Sequence, residues 1–219
     1  MIFEGVLTPD ELAHISASLA RVSFRDGRAT AGSSARKVKL NEQARGDDPL
    51  VLELARGIRG ALEGRSEFQT AVRPVRWSGL IFSRYSEGHR YGLHTDDAAA
   101  YDEHGFPLRT DVSFTVFLSD PSTYEGGELR IMGPLGDSSF KPPAGAAVIY
   151  PTGFLHEVTA ITRGTRSACV GWAQSAIRSA DQRELLFDLA CARRETPDGH
   201  GRLLLDKGIS NLIRMWAEP

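Results

Sequence analysis

The chain has 219 residues, 41% hydrophobic and 25% charged, a globular composition that excludes a disordered or collagen-like chain. Lysine and arginine number 26 against 28 aspartates and glutamates, a formal net charge of −2, so the basic excess of a general nucleic-acid binder is absent. No apolar run approaches the roughly 18 residues needed to cross a bilayer, so neither nucleic acid nor membrane is an expected partner.

Met1 to Leu12 carries Glu4, Asp10 and Glu11 and lacks the apolar core of a secretory signal. Thr8, then Pro9 and Glu11, form a capping box that opens a helix over residues 8–22, with Leu12, Ile15 and Leu19 at helical spacing. Residues 25–47, rich in arginine and glycine, show little periodicity and are expected as strand fragments and loop. A second helix starts at Asp48-Pro49 and runs through Leu50, Leu54 and Ile58 towards Leu62.

From about residue 70 to 175 short runs rich in Val, Ile, Phe and Tyr alternate with glycine and proline. They are Val72–Tyr85, Ser113–Leu118, Gly127–Met132, Ala146–Tyr150, His156–Ile161 and Ser167–Trp172. A third helix follows, with Ser179 as cap and Gln182 at the reciprocal position, and Leu203 to Trp216 is expected as the last. The fold class is mainly β with flanking helices, its core a jelly roll or related sandwich. Residues 1–70 are expected as a helical and strand support region, 71–177 as the β core and 178–219 as a C-terminal helical appendage. Cys169 and Cys191 are too few for a disulfide framework or a Cys-based zinc site, and a cytoplasmic location is expected.

The chemistry is carried by His94-Thr95-Asp96. On a strand, residues two apart share a face, so His94 and Asp96 can converge while Thr95 turns away. His156, at the start of a later strand run, supplies a second imidazole. Two imidazoles and one carboxylate leave half of an octahedral site open, which suits non-haem Fe(II); zinc competes for the same ligands.

Arg166 shares a strand face with Ala168, Val170 and Trp172. A guanidinium aimed at an interior metal is costly unless it pairs with an anion, and a metal-chelating dicarboxylate would supply one. Fe²⁺, one aspartate and a dianion leave one negative charge, which Arg166 neutralises. Cys169 faces the other way, as a buried hydrophobe. Tyr85 and Tyr91 are candidates to hydrogen-bond that dicarboxylate. Trp172 is expected in the core, and His89 and His104 in solvent-exposed loops. No side chain is assigned as a general base.

The segments Phe82-Ser83-Arg84-Tyr85, Tyr91-Gly92-Leu93-His94-Thr95-Asp96, Arg109-Thr110-Asp111-Val112-Ser113 and Tyr124-Glu125-Gly126-Gly127-Glu128-Leu129 resemble the prolyl-4-hydroxylase-type Fe(II)/2-oxoglutarate oxygenases. The resemblance narrows to the bacterial PKHD-type hydroxylases over about residues 75–190. It implies a double-stranded β-helix, iron at His94, Asp96 and His156, and 2-oxoglutarate at Arg166. It also implies O₂ as oxidant, succinate and CO₂ as products, hydroxylation of a C–H bond, and L-ascorbate to keep the iron reduced. The substrate, peptidyl or small-molecule, and the oligomeric state are left open. Departures from the family lie in Ala98 to Leu108 and in the last 30 residues, and residues 98–107 are a candidate lid or a plain surface loop. The competing classes are a non-redox jelly-roll binding module and a zinc-dependent hydrolase.

Overall fold

Alternation along the strand Val112–Phe117 organises the molecule. All six residues are buried, but its two faces serve different layers. Val112, Phe114 and Val116 join a large apolar cluster shared with helices. Ser113 and Thr115 line a cavity on the other side, and Phe117 packs beside it. In this computed structural model, which describes residues 1–133 and 136–218, the strand lies inside an eight-stranded antiparallel sheet. From one edge the order is Ile2–Phe3, Ala147–Pro151, Val112–Phe117, Arg166–Ser175, Ile81–Tyr85, Glu42–Ala44 and Phe24–Asp26, with Pro74–Trp77 also paired to Arg166–Ser175.

A five-stranded sheet covers the cavity face. Its order is Gly136–Phe140, Leu129–Gly133, His156–Val158, Arg90–His94 and Lys39–Leu40. Phe117, Val148 and Tyr150 of the large sheet pack with Leu129 and Ile131 of the small one, closing a jelly roll.

Among the described residues five α-helices flank this core: α1 (Pro9–Leu19), α2 (Pro49–Glu63), α3 (Ser66–Val72), α4 (Ala180–Glu195) and α5 (His200–Trp216). Both halves of the capping box at α1 form: Thr8 N–H donates to Glu11 Oε2 at 2.7 Å and Glu11 N–H to Thr8 Oγ1 at 3.3 Å. The helix ends at Leu19, three residues before the expected stop. Along α2, Val51, Leu54, Ile58 and Leu62 form one buried stripe against the large sheet. At α4, Ser179 Oγ accepts from Gln182 N–H. No helix among the described residues is long and apolar enough to cross a membrane.

Three departures from expectation have local causes. Helix α3 was not expected; its N-terminus has no side-chain cap, and it is held instead by the buried Phe68 ring against Phe3, Trp77 and Phe114. The run Val72–Tyr85 breaks into two strands at Ser78-Gly79, where Ser78 bonds Trp172 through both its backbone N–H and its Oγ. The run His156–Ile161 also splits, and Ile161–Gly164 pairs with Tyr124–Gly126 in a separate ribbon.

Candidate active site

His94 and His156 are opposite each other in register, the last residue of one small-sheet strand facing the first of its neighbour. Cross-strand position alone therefore brings the imidazoles together, at a ring-centroid distance of 4.3 Å. Their Nδ1 atoms lie 2.8 Å and 3.0 Å from the carbonyl oxygens of Gly92 and Phe154. A carbonyl only accepts, so each Nδ1 carries the proton and each Nε2 presents a lone pair.

Asp96 lies two residues beyond its strand's end rather than on it, a correction to the shared-face expectation. Its Oδ1 is 3.7 Å from His94 Nε2 and 3.6 Å from His156 Nε2. Its Oδ2 accepts from Ser113 Oγ at 2.9 Å and Trp172 Nε1 at 2.8 Å. The carboxylate is thereby oriented by one oxygen and left open at the other.

Candidate ligand atoms of all three residues lie within 4.8 Å of one another. His94 Nε2 is buried with no hydrogen-bond partner, as a preformed metal ligand would be. Burial, reinforced by His156, lowers the His94 pKa and keeps the imidazole neutral, the form that ligates. The set of two nitrogens and one oxygen suits a divalent transition metal with coordination positions to spare.

Arg166 begins the longest strand, in register with Tyr85. It is 1% exposed, and its Nε and Nη2 have no hydrogen-bond partner. Its guanidinium carbon lies 5.3 Å from the Tyr85 ring centroid and 4.9 Å from that of Phe117. The buried Tyr124 hydroxyl is also unpaired. All three metal-ligand candidates, Arg166, Tyr85 and Tyr91 line one cavity of about 400 Å³. A buried cation with unused donors is unfavourable until an anion reaches it, so the cavity is built to receive one.

Tyr91 stacks on His94 at 3.6 Å between ring centroids and so fixes that imidazole's plane. Cys169 is buried in the helix-side cluster, as strand parity requires. Trp172 corrects an expectation: it is a cavity wall and hydrogen-bond donor to Asp96, a role its shared parity with Arg166 could have indicated. His104 is exposed, and residues 98–107 contain a strand that pairs as Ala99–Tyr101 with Pro107–Arg109; Ala99 and Tyr101 border the cavity. Two further contributors are not singled out by the sequence. Ser113 reads only as part of the strand run Ser113–Leu118, and Lys39 falls in the stretch without pattern.

The profile of the 2OG-Fe(II) oxygenase superfamily matches residues 80–174, which contain every one of these residues except Lys39. A PKHD-type hydroxylase of Picosynechococcus sp. is 45% identical over 217 residues, covering 97% of both chains. One from Xanthomonas campestris pv. campestris is 44% identical over 220 residues, covering 97% of this chain and 96% of that one. The crystal structure of a Pseudomonas putida prolyl-4-hydroxylase superposes with a TM-score of 0.55 at 19% identity, covering 80% of this chain and 91% of that one. Near-complete alignment at such identity, over a histidine–aspartate–histidine cluster in a jelly roll, settles the kinship. The chain belongs to the 2OG-Fe(II) oxygenase superfamily, among its PKHD-type hydroxylases, and is an Fe(II)- and 2-oxoglutarate-dependent dioxygenase.

Proposed function

We propose that His94, Asp96 and His156 hold the iron and that Arg166 anchors the distal carboxylate of 2-oxoglutarate, for hydroxylation of a substrate C–H bond at the cavity mouth. The observation that carries this reading is the unpaired Arg166 guanidinium in the same cavity as the three ligand atoms. When bound, iron and 2-oxoglutarate supply the oxidative chemistry, with O₂ consumed and succinate and CO₂ released.

The chain's own residues orient and exclude water. Gly92 and Phe154 carbonyls fix the histidine tautomers, and Ser113 and Trp172 fix Asp96. The Tyr85 and Phe117 rings pack on the Arg166 guanidinium, whose Nε and Nη2 are left for a carboxylate. Arg166 is itself buried, and Leu129, Val158 and Val170 add apolar wall to the cavity, so the arginine–carboxylate pair forms where water screens it less. No side chain acts as a general base. The substrate is a peptidyl group or a small molecule. Two free cysteines, one buried, suit the reducing cytoplasm.

The test is anaerobic titration of Fe(II)-loaded protein with 2-oxoglutarate, following the visible charge-transfer band of the chelate. Wild type should develop the band, and Arg166→Met should need roughly 100-fold more co-substrate, the scale of removing one partner of a buried charge pair. No band in folded wild type, or equal affinity in the variant, would sink the assignment.

A further inference from the structure

The cavity holds a second buried cation. Lys39 comes from the short strand Lys39–Leu40, whose register partner is Tyr91, so it enters from the small sheet while Arg166 enters from the large one. The residue is 7% exposed. Its ammonium donates to Thr30 Oγ1 at 3.1 Å and sits 4.8 Å from the centroid of Tyr91, the ring stacked on His94. Neither partner carries a charge. Thr30 Oγ1 in turn donates to Gln43 Oε1, and Gln43 Nε2 lies 3.4 Å from Ser83 Oγ, so a polar band runs along this cavity wall.

Formal charge shows what is missing. Iron(II), the Asp96 carboxylate, a 2-oxoglutarate dianion and Arg166 sum to zero. Lys39 adds one positive charge. Of the acids whose charge acts on it, Asp96 is already counted and Asp26 is paired with Arg28 at the surface, while Asp97, which also borders the cavity, is solvent-exposed. An uncompensated buried ammonium is destabilising, and a polar group kept at such a cost is typically functional. Burial lowers its pKa to about 8, which leaves it charged at neutral pH.

We propose that Lys39 receives a carboxylate or similar oxyanion on the substrate to be oxidised, so that this enzyme acts on an acid. The inference rests on the oxygenase reading of the site, in which Arg166 is taken by 2-oxoglutarate.

The experiment uses Fe(II)-loaded full-length protein under nitrogen, as wild type, Lys39→Met and Arg166→Met. Titration with 2-oxoglutarate comes first. Lys39→Met should bind it within about twofold of wild type while Arg166→Met loses it. Absence of the band in wild type defeats the oxygenase reading; equal loss in both variants defeats only the present proposal, by making Lys39 a co-substrate ligand. With 2-oxoglutarate saturating, two sets of probes are then added and the shift of the band is read. One set is acetate, benzoate, N-acetylglycine and N-acetylproline, each beside its primary amide. The other is short end-blocked peptides containing aspartate or glutamate, each beside its asparagine or glutamine counterpart.

At least one acid should shift the band in wild type, its amide should not, and Lys39→Met should weaken the response at least tenfold. The set that responds distinguishes a free acid from an acidic side chain. Silence from both sets, equal response to amides, or an unchanged response in Lys39→Met overturns the proposal. Lys39→Met should also melt at or above the wild-type temperature; a variant that no longer folds makes the ammonium structural and overturns it too.

Discussion

The two oxygens of Asp96 face different partners. Oδ2 is occupied by Ser113 and Trp172, and Oδ1 faces both imidazole Nε2 atoms. Trp172→Phe keeps the aromatic wall and removes one of the two orienting donors. Its affinity for iron(II) should fall roughly 10- to 100-fold, the usual loss when a ligand's supporting hydrogen bond is removed. Competition against a chelating dye measures this, and the unfolding of metal-free protein should change little. Lys39 gives a prediction in pH. Burial holds its folded pKa at about 8, below the ordinary lysine value of 10.5, so between these values the unfolded chain binds more protons than the folded one. Stability contributed through this residue therefore rises with pH across that window and is lowest below pH 8. The melting-temperature advantage of Lys39→Met over wild type should shrink from pH 8 towards pH 10.5, read by thermal scans of both proteins in the same buffers.

At the scale of elements, much of the site could be read from the sequence because strand parity is strict. Arg166 and Cys169 fall on opposite faces as expected, and His156 opens its strand. What escaped has physical reasons. Helix α3 has neither an N-terminal side-chain cap nor length, and tertiary packing decides such segments. Lys39 sits on a two-residue strand, too short for any period to show. Asp96 reaches the site from an irregular segment, so its convergence with His94 depends on Trp172 and Ser113. The ribbon Tyr124–Gly126 with Ile161–Gly164 supports Arg166 from below, and the glycine that follows it is sterically required. Gly127 has φ +70, and a Cβ there would lie 2.4 Å from Ile161 Cδ1 and 3.0 Å from Arg166 Cδ. Gly127→Ala should therefore displace the arginine stem. The expected outcome is a loss of about 1–3 kcal/mol in urea denaturation, together with at least tenfold weaker 2-oxoglutarate binding in the anaerobic titration.

For the whole molecule, the large sheet separates what stabilises the fold from what performs the chemistry. Its helix-side face, visible in the sequence as alternating apolar positions and the α2 stripe, builds the main core. Its other face bears Ser113, Thr115, Arg166 and Trp172. The sequence shows each face as a pattern, but the aromatic cluster where α3 meets the sheet depends on contacts distant along the chain. Phe68 is the centre of that cluster, fully buried, stacked on Trp77 at 5.6 Å and edge-on to Phe114 at 6.4 Å. Phe68→Ala should cost about 3–5 kcal/mol, the usual penalty for a large cavity in an aromatic core. Urea denaturation should show a lower midpoint at unchanged slope. Because the ring lies on the helix side of the sheet, the folded variant should bind 2-oxoglutarate within about twofold of wild type. A large loss of affinity would show that deformation of the helix-side core passes through the sheet to Arg166, and that the two faces are not mechanically independent.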